Sequence, residues 1–164
     1  MPIAFDIHVG TQADYEDLLR LNKALFDYEA DQGFSHTYNL EWTYSDEGKK
    51  YFETFIDDDM HATWIATNDE GVAVGYLIAV VREVAYRSPQ TVSEIEMLYI
   101  DEGYRCSGIG RCLVDEFKKW SNEQGAGILR VGALAANKHA RDFYEKWGFD
   151  EAEIMYEIAV KNEE

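Results

Sequence analysis

Two hydrophobic periodicities alternate along this chain, and together they predict an α/β architecture. Apolar residues at every second position predict strands at about residues 3–9, 61–67, 72–82, 91–100, 128–134 and 153–160. Apolar residues three and four positions apart predict helices between them, with starts near Thr11, Ser45, Gly108 and Asn137. The order is one strand, two helices, three strands and two helix–strand pairs. Such an order predicts one domain in which helices flank a mixed sheet.

Length and composition fit a single well-packed domain. The 164 residues are 46% hydrophobic and 14% aromatic, enough to fill a globular core. No apolar run approaches the about 18 residues of a membrane span, so no membrane partner is expected. The N-terminus lacks the basic and long apolar segments of a signal peptide. With only two cysteines, Cys106 and Cys112, a reduced cytoplasmic location is expected.

The formal net charge of −17 narrows the range of partners. Nucleic acid is an unfavourable partner, because its backbone phosphates would be repelled. A cationic substrate such as an amine would be attracted. The acidic residues are dispersed along the chain, however, and the same charge would also serve solubility or a salty cytoplasm. The charge alone therefore does not choose between these explanations.

A strand, a glycine-bearing loop and a helix follow one another between Ile95 and Val114. The first turn of a helix has amide groups without an intrahelical partner, and the helix dipole adds roughly half a positive charge there. Gly108 and Gly110 would let a phosphate approach the backbone closely. A Walker loop does not fit, because Gly48-Lys49 lacks a following hydroxyl residue, and Leu113 replaces the third glycine of a Rossmann fingerprint. The pattern predicts a site for a phosphate-bearing cofactor.

Two sequence motifs indicate which protein family this site resembles. The sequence Arg105-x-x-Gly108-x-Gly110 after a strand resembles motif A of the GNAT superfamily of acetyl-CoA-dependent N-acetyltransferases. After one further strand, residues 137–149 read NKHARDFYEKWGF and resemble motif B of the same superfamily. The resemblance implies a GNAT-like acyl-CoA N-acyltransferase fold, α/β in class, with a central mixed, mostly antiparallel sheet flanked by helices. Residues 1–164 would form a single domain, with a variable substrate side in 1–60 and an acetyl-CoA-binding core in 61–160.

The resemblance also implies which residues hold acetyl-CoA. The backbone of the motif A strand would pair with pantetheine as if it were an added strand, through Leu98, Tyr99 and Ile100. The loop and first helical turn would hold the pyrophosphate through the amides of Arg105, Cys106, Ser107, Gly108, Ile109, Gly110 and Arg111. The Arg105 and Arg111 side chains could add charge. One departure from the family pattern is Cys106-Ser107, which stands where Gly-Lys or Gly-Gln is commoner.

Motif B supplies two further implied roles. Asn137 would cap its helix and offer an amide to the pantetheine arm. Tyr144 would bind beside the thioester and give a proton to the departing thiolate. An N–H near Leu98 would stabilise the oxyanion. Direct transfer needs no nucleophile, so neither cysteine is expected to be catalytic.

The chemistry also requires a base. An ammonium of pKa about 10.4 must lose a proton before it attacks a thioester. Strict alternation along the motif A strand places Glu94 on one face with Leu98 and Ile100, and Glu94 is the leading candidate, with Glu96 as the second. Either carboxylate could instead form an ion pair with Arg82 or Arg130 across the sheet, and the sequence leaves this open.

The acceptor should be bound by the first half of the chain. Residues 34–55 combine aromatic rings with acidic residues, a mixture that suits a cation and equally suits the core of a helix pair. The four histidines are scattered, so no metal site is expected. The leading hypothesis is direct acetyl transfer from acetyl-CoA to a primary amine, favouring a small cationic one. A protein N-terminus or lysine is an alternative acceptor, and a non-catalytic acyl-CoA-binding module is an alternative function. Dimers are common in the superfamily, so a homodimer is one expected assembly.

Overall fold

The computed structural model describes residues 2–161 and contains a five-stranded sheet in the order β1-β2-β3-β4-β5. The strands are antiparallel except that β5 lies parallel to β4. This confirms the mixed, mostly antiparallel sheet flanked by helices that the sequence predicted. The strands are β1 (Phe5–Val9), β2 (His61–Asn68), β3 (Ala73–Glu83), β4 (Thr91–Ile100) and β5 (Ile128–Val131). The helices are α1 (Tyr15–Asp31), α2 (Asp46–Asp57), α3 (Ile109–Glu123) and α4 (Lys138–Lys146).

Local capping signals set the helix starts. Thr11 and Asp14 form a capping box around the short 3-10 turn that leads into α1. The Ser45 side chain accepts a hydrogen bond from the Gly48 N–H and caps α2, and the Asn137 side chain accepts one from the Ala140 N–H and caps α4. These starts lie within a few residues of the predicted ones because they depend only on neighbouring residues.

The sheet has an apolar layer on each face. Helices α1 and α2 cover one face, where the buried residues include Leu18, Leu21, Phe52, Ile65, Tyr76 and Ile78. Helices α3 and α4 cover the other face, where the buried residues include Trp64, Leu77, Ile95, Ile109, Leu113 and Phe117. Several rings of the acidic and aromatic stretch belong to the first layer: Tyr51 packs on Phe55 with ring centroids 4.4 Å apart. The sequence left open whether these rings bind a cation or form the core of a helix pair, and the structure shows that they pack in the core.

A β-bulge in β4 changes which side chains share a face. Ile95 pairs with Ala79 and Met97 pairs with Ile78, so Glu96 is the extra residue. As a result Ile95 packs under α3 whereas Met97 packs under α1 and α2. The strict alternation expected from the sequence, which put both residues on one face, is wrong at this point.

The β4–β5 ladder is short, and it ends where the bulge begins. Its register runs from Val92 opposite Ile128 to Ile95 opposite Val131. The predicted extension of β5 to residue 134 is therefore wrong. Beyond the ladder, residues 97–100 of β4 still pair with β3, and no strand of the described chain lies on their other side. The two parallel strands separate there and leave an open backbone edge.

The predicted closing strand at 153–160 is also absent. This segment has no regular secondary structure and is exposed along its whole length. Its apolar residues alternate as a strand requires, but the described chain offers it no hydrogen-bonded neighbour. The alternation of apolar residues indicates a segment that could join a sheet as a strand. It does not form one here, because no described strand pairs with it.

Candidate active site

The glycine loop ends in the N-terminus of α3 and has the geometry of an anion cradle. Gly108 is the N-cap, with a φ of 93° that favours glycine. The N–H of Cys112 donates to the Gly108 carbonyl at 3.1 Å, so the amides before Cys112 precede the helical hydrogen-bond pattern. A Cβ built on Gly108 would meet no atom within 4 Å. Space is therefore open beside the Gly108 Cα, at the helix end where unpaired amides can bind an anion.

Close packing fixes this cradle against the motif B helix. A Cβ on Gly110 would lie 3.1 Å from ring atoms of Phe143 and 3.2 Å from a methyl carbon of Ile100. The missing side chain thus lets α3 approach both α4 and β4. Motif A and motif B, which the sequence only placed in order, meet at this contact.

The open edge of β4 leads from the cradle to a pair of carboxylates. Leu98, Tyr99 and Ile100 supply the edge between them, next to the point where β5 departs. Glu94 lies opposite Val80 and so faces α1 and α2, rather than sharing a face with Leu98 and Ile100 as expected. The bulge at Glu96 explains the difference.

One guanidinium holds both glutamates. Arg82 donates to the Glu94 carboxylate at 2.9 Å and also to the Glu96 carboxylate. The Arg130 Nε lies 3.7 Å from the same Glu94 oxygen. The cross-sheet ion pairs that the sequence left open are therefore present, for both candidates. With 24% and 22% of their side chains exposed, Glu94 and Glu96 remain accessible from solvent.

Tyr144 lies on α4, on the opposite side of the sheet from the two glutamates. Its ring packs against Phe143 and Phe149, with centroids 5.3 and 5.7 Å away. Burial raises the pKa of the Tyr144 phenol, and the charge of Glu29 on α1 adds to the rise. The hydroxyl is thus kept protonated at neutral pH.

The two arginines of motif A make contacts of their own. The Arg105 guanidinium carbon lies 4.2 Å from the ring centroid of Tyr28 and 5.5 Å from that of Tyr99, and its Nε donates to the Ile100 carbonyl at 2.9 Å. Arg111 lies over Trp147, with 5.0 Å to the ring centroid. Arg105 thus ties the loop to α1, a role that sequence reasoning did not assign.

Sequence reasoning also missed two ionisable residues near the site. Tyr51 on α2 is close enough to Glu96 for that charge to add to burial in raising the pKa of Tyr51. Glu29 on α1 is a partly buried carboxylate near Tyr38. Burial raises the pKa of Glu29, and the Tyr38 hydroxyl offsets part of the rise. Both residues lie in the half of the chain without a motif, so only the fold brings them here.

Cys106 carries local backbone strain. Its φ of 59° lies in the left-handed region, and among the described residues other than glycine it alone has a positive φ. The side chain is exposed and free of any disulfide. The departure from the commoner glycine that the sequence showed at this position therefore has a conformational cost.

Residues 2–161 contain no group of three or more His, Cys, Asp or Glu side chains placed to hold a metal ion. Nor does any helix in that range combine the length and apolarity that crossing a membrane requires.

Comparison with known proteins agrees with the geometry. A model of the acetyltransferase (GNAT) family matches residues 23–149. The chain belongs to this family. The match confirms the resemblance to this family that the sequence predicted.

The relatives are distant. An uncharacterized N-acetyltransferase of Methanocaldococcus jannaschii is 24% identical over 151 residues, which cover 92% of this chain and 63% of that protein. Streptothricin acetyltransferase A of Bacillus subtilis is 28% identical over 115 residues, covering 68% of this chain and 66% of that protein. The matched regions thus span just under two thirds of these two curated relatives.

A solved structure shares the whole fold of this GNAT acetyltransferase. It is that of AAC(6')-Iy in complex with the bisubstrate analogue CoA-S-monomethyl-acetylneamine. The TM-score is 0.76 at 20% identity, and the alignment covers 97% of this chain and 99% of that one. At this identity the likeness concerns the fold.

Replacing Cys106 by glycine should stabilise the protein. Relief of left-handed strain is worth about 1–2 kcal/mol, and the extra chain entropy of glycine offsets about 0.5–1 kcal/mol of it. We expect the denaturant midpoint to rise for Cys106→Gly. Cys106→Ala is the matched control, because it removes the thiol but keeps the Cβ, and its midpoint should stay near that of the wild type. Equal midpoints for both variants would contradict the strain.

Proposed function

We propose that this acetyltransferase moves the acetyl group of acetyl-CoA to the primary amine of a small cationic acceptor, by direct attack. The observation that carries the proposal is the open edge of β4 at residues 97–100. It lies between the anion cradle at Gly108 and the glutamate pair, of which Glu94 is within the β4–β5 ladder. An anionic donor and a cationic acceptor would thus meet along one strand.

The cradle end suits coenzyme A. Amides of residues 106–111 at the start of α3 would hold the pyrophosphate, beside the open space at Gly108, whereas the predicted Arg105 amide already donates to the Glu102 carbonyl. The edge of Leu98, Tyr99 and Ile100 has no neighbouring described strand and would pair with the amide-bearing pantetheine arm, as an added strand would, except at the Ile100 carbonyl, which accepts from the Arg105 Nε. Asn137 lies at the start of α4 and is nine-tenths buried, which supports its placement beside that arm. When bound, acetyl-CoA supplies an activated thioester.

The carboxylate end suits an amine. Removing the proton of an ammonium of pKa about 10.4 at pH 7 costs about 4–5 kcal/mol unless the site helps. Glu94 would take that proton, directly or through water, with Glu96 as the second candidate. In the structure both carboxylates are ion-paired with Arg82, which is the alternative role that the sequence left open. An acceptor ammonium would compete with Arg82 for the same oxygens.

The remaining steps fall to the backbone and to α4. An N–H near Leu98, on the unpaired side of the strand, would donate to the oxyanion that forms when nitrogen attacks the carbonyl carbon. The C–S bond then breaks, and Tyr144 would give its proton to the thiolate. Burial supports this role because it raises the pKa of Tyr144 and keeps the proton in place before transfer.

The choice of a small cationic amine rests on three observations. The net charge of −17 favours cations in general. Glu29, Glu94 and Glu96 add acidic groups close to the proposed site. A relative named for streptothricin and a structural neighbour bound to a CoA–neamine analogue both point to small amine acceptors. A peptide N-terminus or lysine is the alternative acceptor. Measuring thiol release with a panel of small amines and peptides distinguishes the two classes of acceptor.

The role of the glutamates predicts a pH-dependent defect. Glu94→Gln should lower kcat by about 10²–10⁴-fold at pH 7. The defect should shrink as the pH approaches the pKa of the acceptor, about 10.4, because free amine then forms without a base. Thiol release from acetyl-CoA measures both. Glu96→Gln is the comparison that identifies the base, and an identical pH profile for wild type and both variants would rule both residues out.

Tyr144→Phe tests the proton donor separately from binding. We expect kcat to fall by about 10²–10⁴-fold while the thermal shift given by acetyl-CoA is kept, since the ring remains. The fall should be uniform up to about pH 10, because the raised pKa keeps the wild-type phenol protonated there. Tyr86→Phe is the control, because Tyr86 is 88% exposed. Binding of acetyl-CoA without thiol release for any amine in the wild type would favour the non-catalytic module.

Gly108→Ala tests the cradle. The alanine would meet no atom, so its only effect is strain at a φ of 93°, worth about 1–2 kcal/mol. A loop that rotates to relieve this strain misaligns its amides, and we expect acetyl-CoA to bind about 5–30-fold more weakly by calorimetry. Gly103→Ala is the matched control: it also has open space, at a conformation that alanine accepts. Unchanged affinity in Gly108→Ala would contradict the assignment.

A further inference from the structure

A buried polar cluster reaches β4 directly after its bulge, in a layer that is otherwise apolar. Asn22 on α1, Thr43 in the short turn Trp42–Tyr44 and Tyr76 on β3 are all fully buried. The Thr43 hydroxyl donates to the Asn22 Oδ1 at 2.6 Å, and the Asn22 Nδ2 donates to the Tyr76 hydroxyl at 3.1 Å. Polar groups removed from water in this way need a partner for each donor.

The acceptor that completes the cluster is the thioether of Met97. The Asn22 Nδ2 donates to its Sδ at 3.0 Å, and the Tyr76 hydroxyl donates to the same sulfur at 3.6 Å. Burial raises the pKa of Tyr76, so the hydroxyl keeps the proton that it donates. A leucine would fill nearly the same volume but accept neither bond. The cluster therefore distinguishes Met97 from an apolar residue of similar size.

The bulge is what turns Met97 toward this cluster. Glu96 is the extra residue, so Met97 lies opposite Ile78 and packs under α1 and α2, while Leu98 packs under α3. A bulge leaves its extra residue unpaired and disrupts the ladder locally. Side-chain contacts must therefore fix the backbone there, and the bonds to the Met97 sulfur act on the residue that directly follows the bulge.

The cluster also connects the two halves of the chain. Asn22 and Thr43 belong to residues 1–60, the half without a motif, whereas Tyr76 and Met97 belong to the central strands of the sheet. Helix α1 and the turn after it thus bear on the same sulfur. The position of β4 at the bulge is set in part by the half of the chain that is expected to bind the acceptor.

We propose that Asn22 is a positioning residue for acetyl transfer, which fixes the bulge of β4 through the sulfur of Met97. The inference rests on the function proposed above, in which both neighbours of Met97 take part in the reaction. Glu96 is a candidate base, and an N–H near Leu98 would donate to the oxyanion. Asn22 itself is fully buried, so it acts on the reaction through Met97 and not by contact with donor or acceptor.

Leucine variants of both residues test this role. Asn22→Leu removes the amide donors, and Met97→Leu removes the sulfur while nearly conserving the buried volume. Well below the thermal midpoint of every variant, we expect each change to lower kcat by about 10²-fold, the cost of misplacing a reacting group by about 1 Å. The KM for acetyl-CoA should change less, because the cradle at Gly108 lies on α3, outside the cluster. Thiol release is measured with the amine that the wild type acetylates fastest among diamines, aminoglycosides and lysine peptides.

Two further measurements separate positioning from general stability. The double variant Asn22→Leu/Met97→Leu should have about the same kcat as either single variant, because both changes remove one shared interaction. By hydrogen exchange, the amides of residues 96–99 should exchange faster in all three variants. Ser121→Ala is the control. It removes another fully buried hydrogen bond to β4, the one of 2.7 Å to Ser93 before the bulge, and should lower the thermal midpoint but leave kcat unchanged.

The possible results distinguish this inference from the proposed function. With a wild type that transfers acetyl, the inference alone would be overturned by wild-type kcat in both leucine variants. Defects in kcat that multiply in the double variant would also overturn it, as would a fall in kcat without faster exchange at residues 96–99. A wild type that binds acetyl-CoA and acetylates no amine of the panel would overturn the proposed function, and the inference with it.

Discussion

The separation of β5 from β4 after Ile95 is the constraint on which the rest of the site depends. A parallel pair that continued would hydrogen-bond the edge of residues 97–100 and leave no place for an added strand. The bulge at Glu96 coincides with this point and turns the strand locally. It also brings Glu96 and Met97 to the side of Glu94. The extra residue of the bulge, Glu96, thus lies where the edge of β4 becomes open and where two carboxylates share one face of the sheet.

The electrostatics divide the site into two ends. At α3 the positive end is made by backbone amides, whose direction the helix fixes, while the Arg105 guanidinium lies on the rings of Tyr28 and Tyr99. At the other end Arg82 gathers Glu94 and Glu96. In the proposed function, fixed dipoles at the first end would let a strongly acidic protein bind an anion without a cluster of lysines.

The sequence predicted the features that depend on neighbouring residues. Thr11, Ser45 and Asn137 act as caps because each bonds within its own first turn. The phosphate loop was predictable for the same reason. The bulge at Glu96 was not, because it depends on the register between β4 and β3, and a two-residue periodicity conceals it. The contact of Gly110 with Phe143 joins residues from two motifs, and only the fold specifies it.

The spacing along β4 relates the two ends of the site to the shape of the donor. From Glu94 to Ile100 an extended strand covers about 20 Å at roughly 3.3 Å per residue. A donor held by its phosphates at the cradle must therefore carry its reactive group at the end of a long extended arm, and that arm needs hydrogen-bonding groups to follow the edge. A short acyl phosphate would reach the cradle but not the carboxylates. With the cradle and the glutamates in the roles proposed above, this span fits a thioester on a pantetheine arm as the donor.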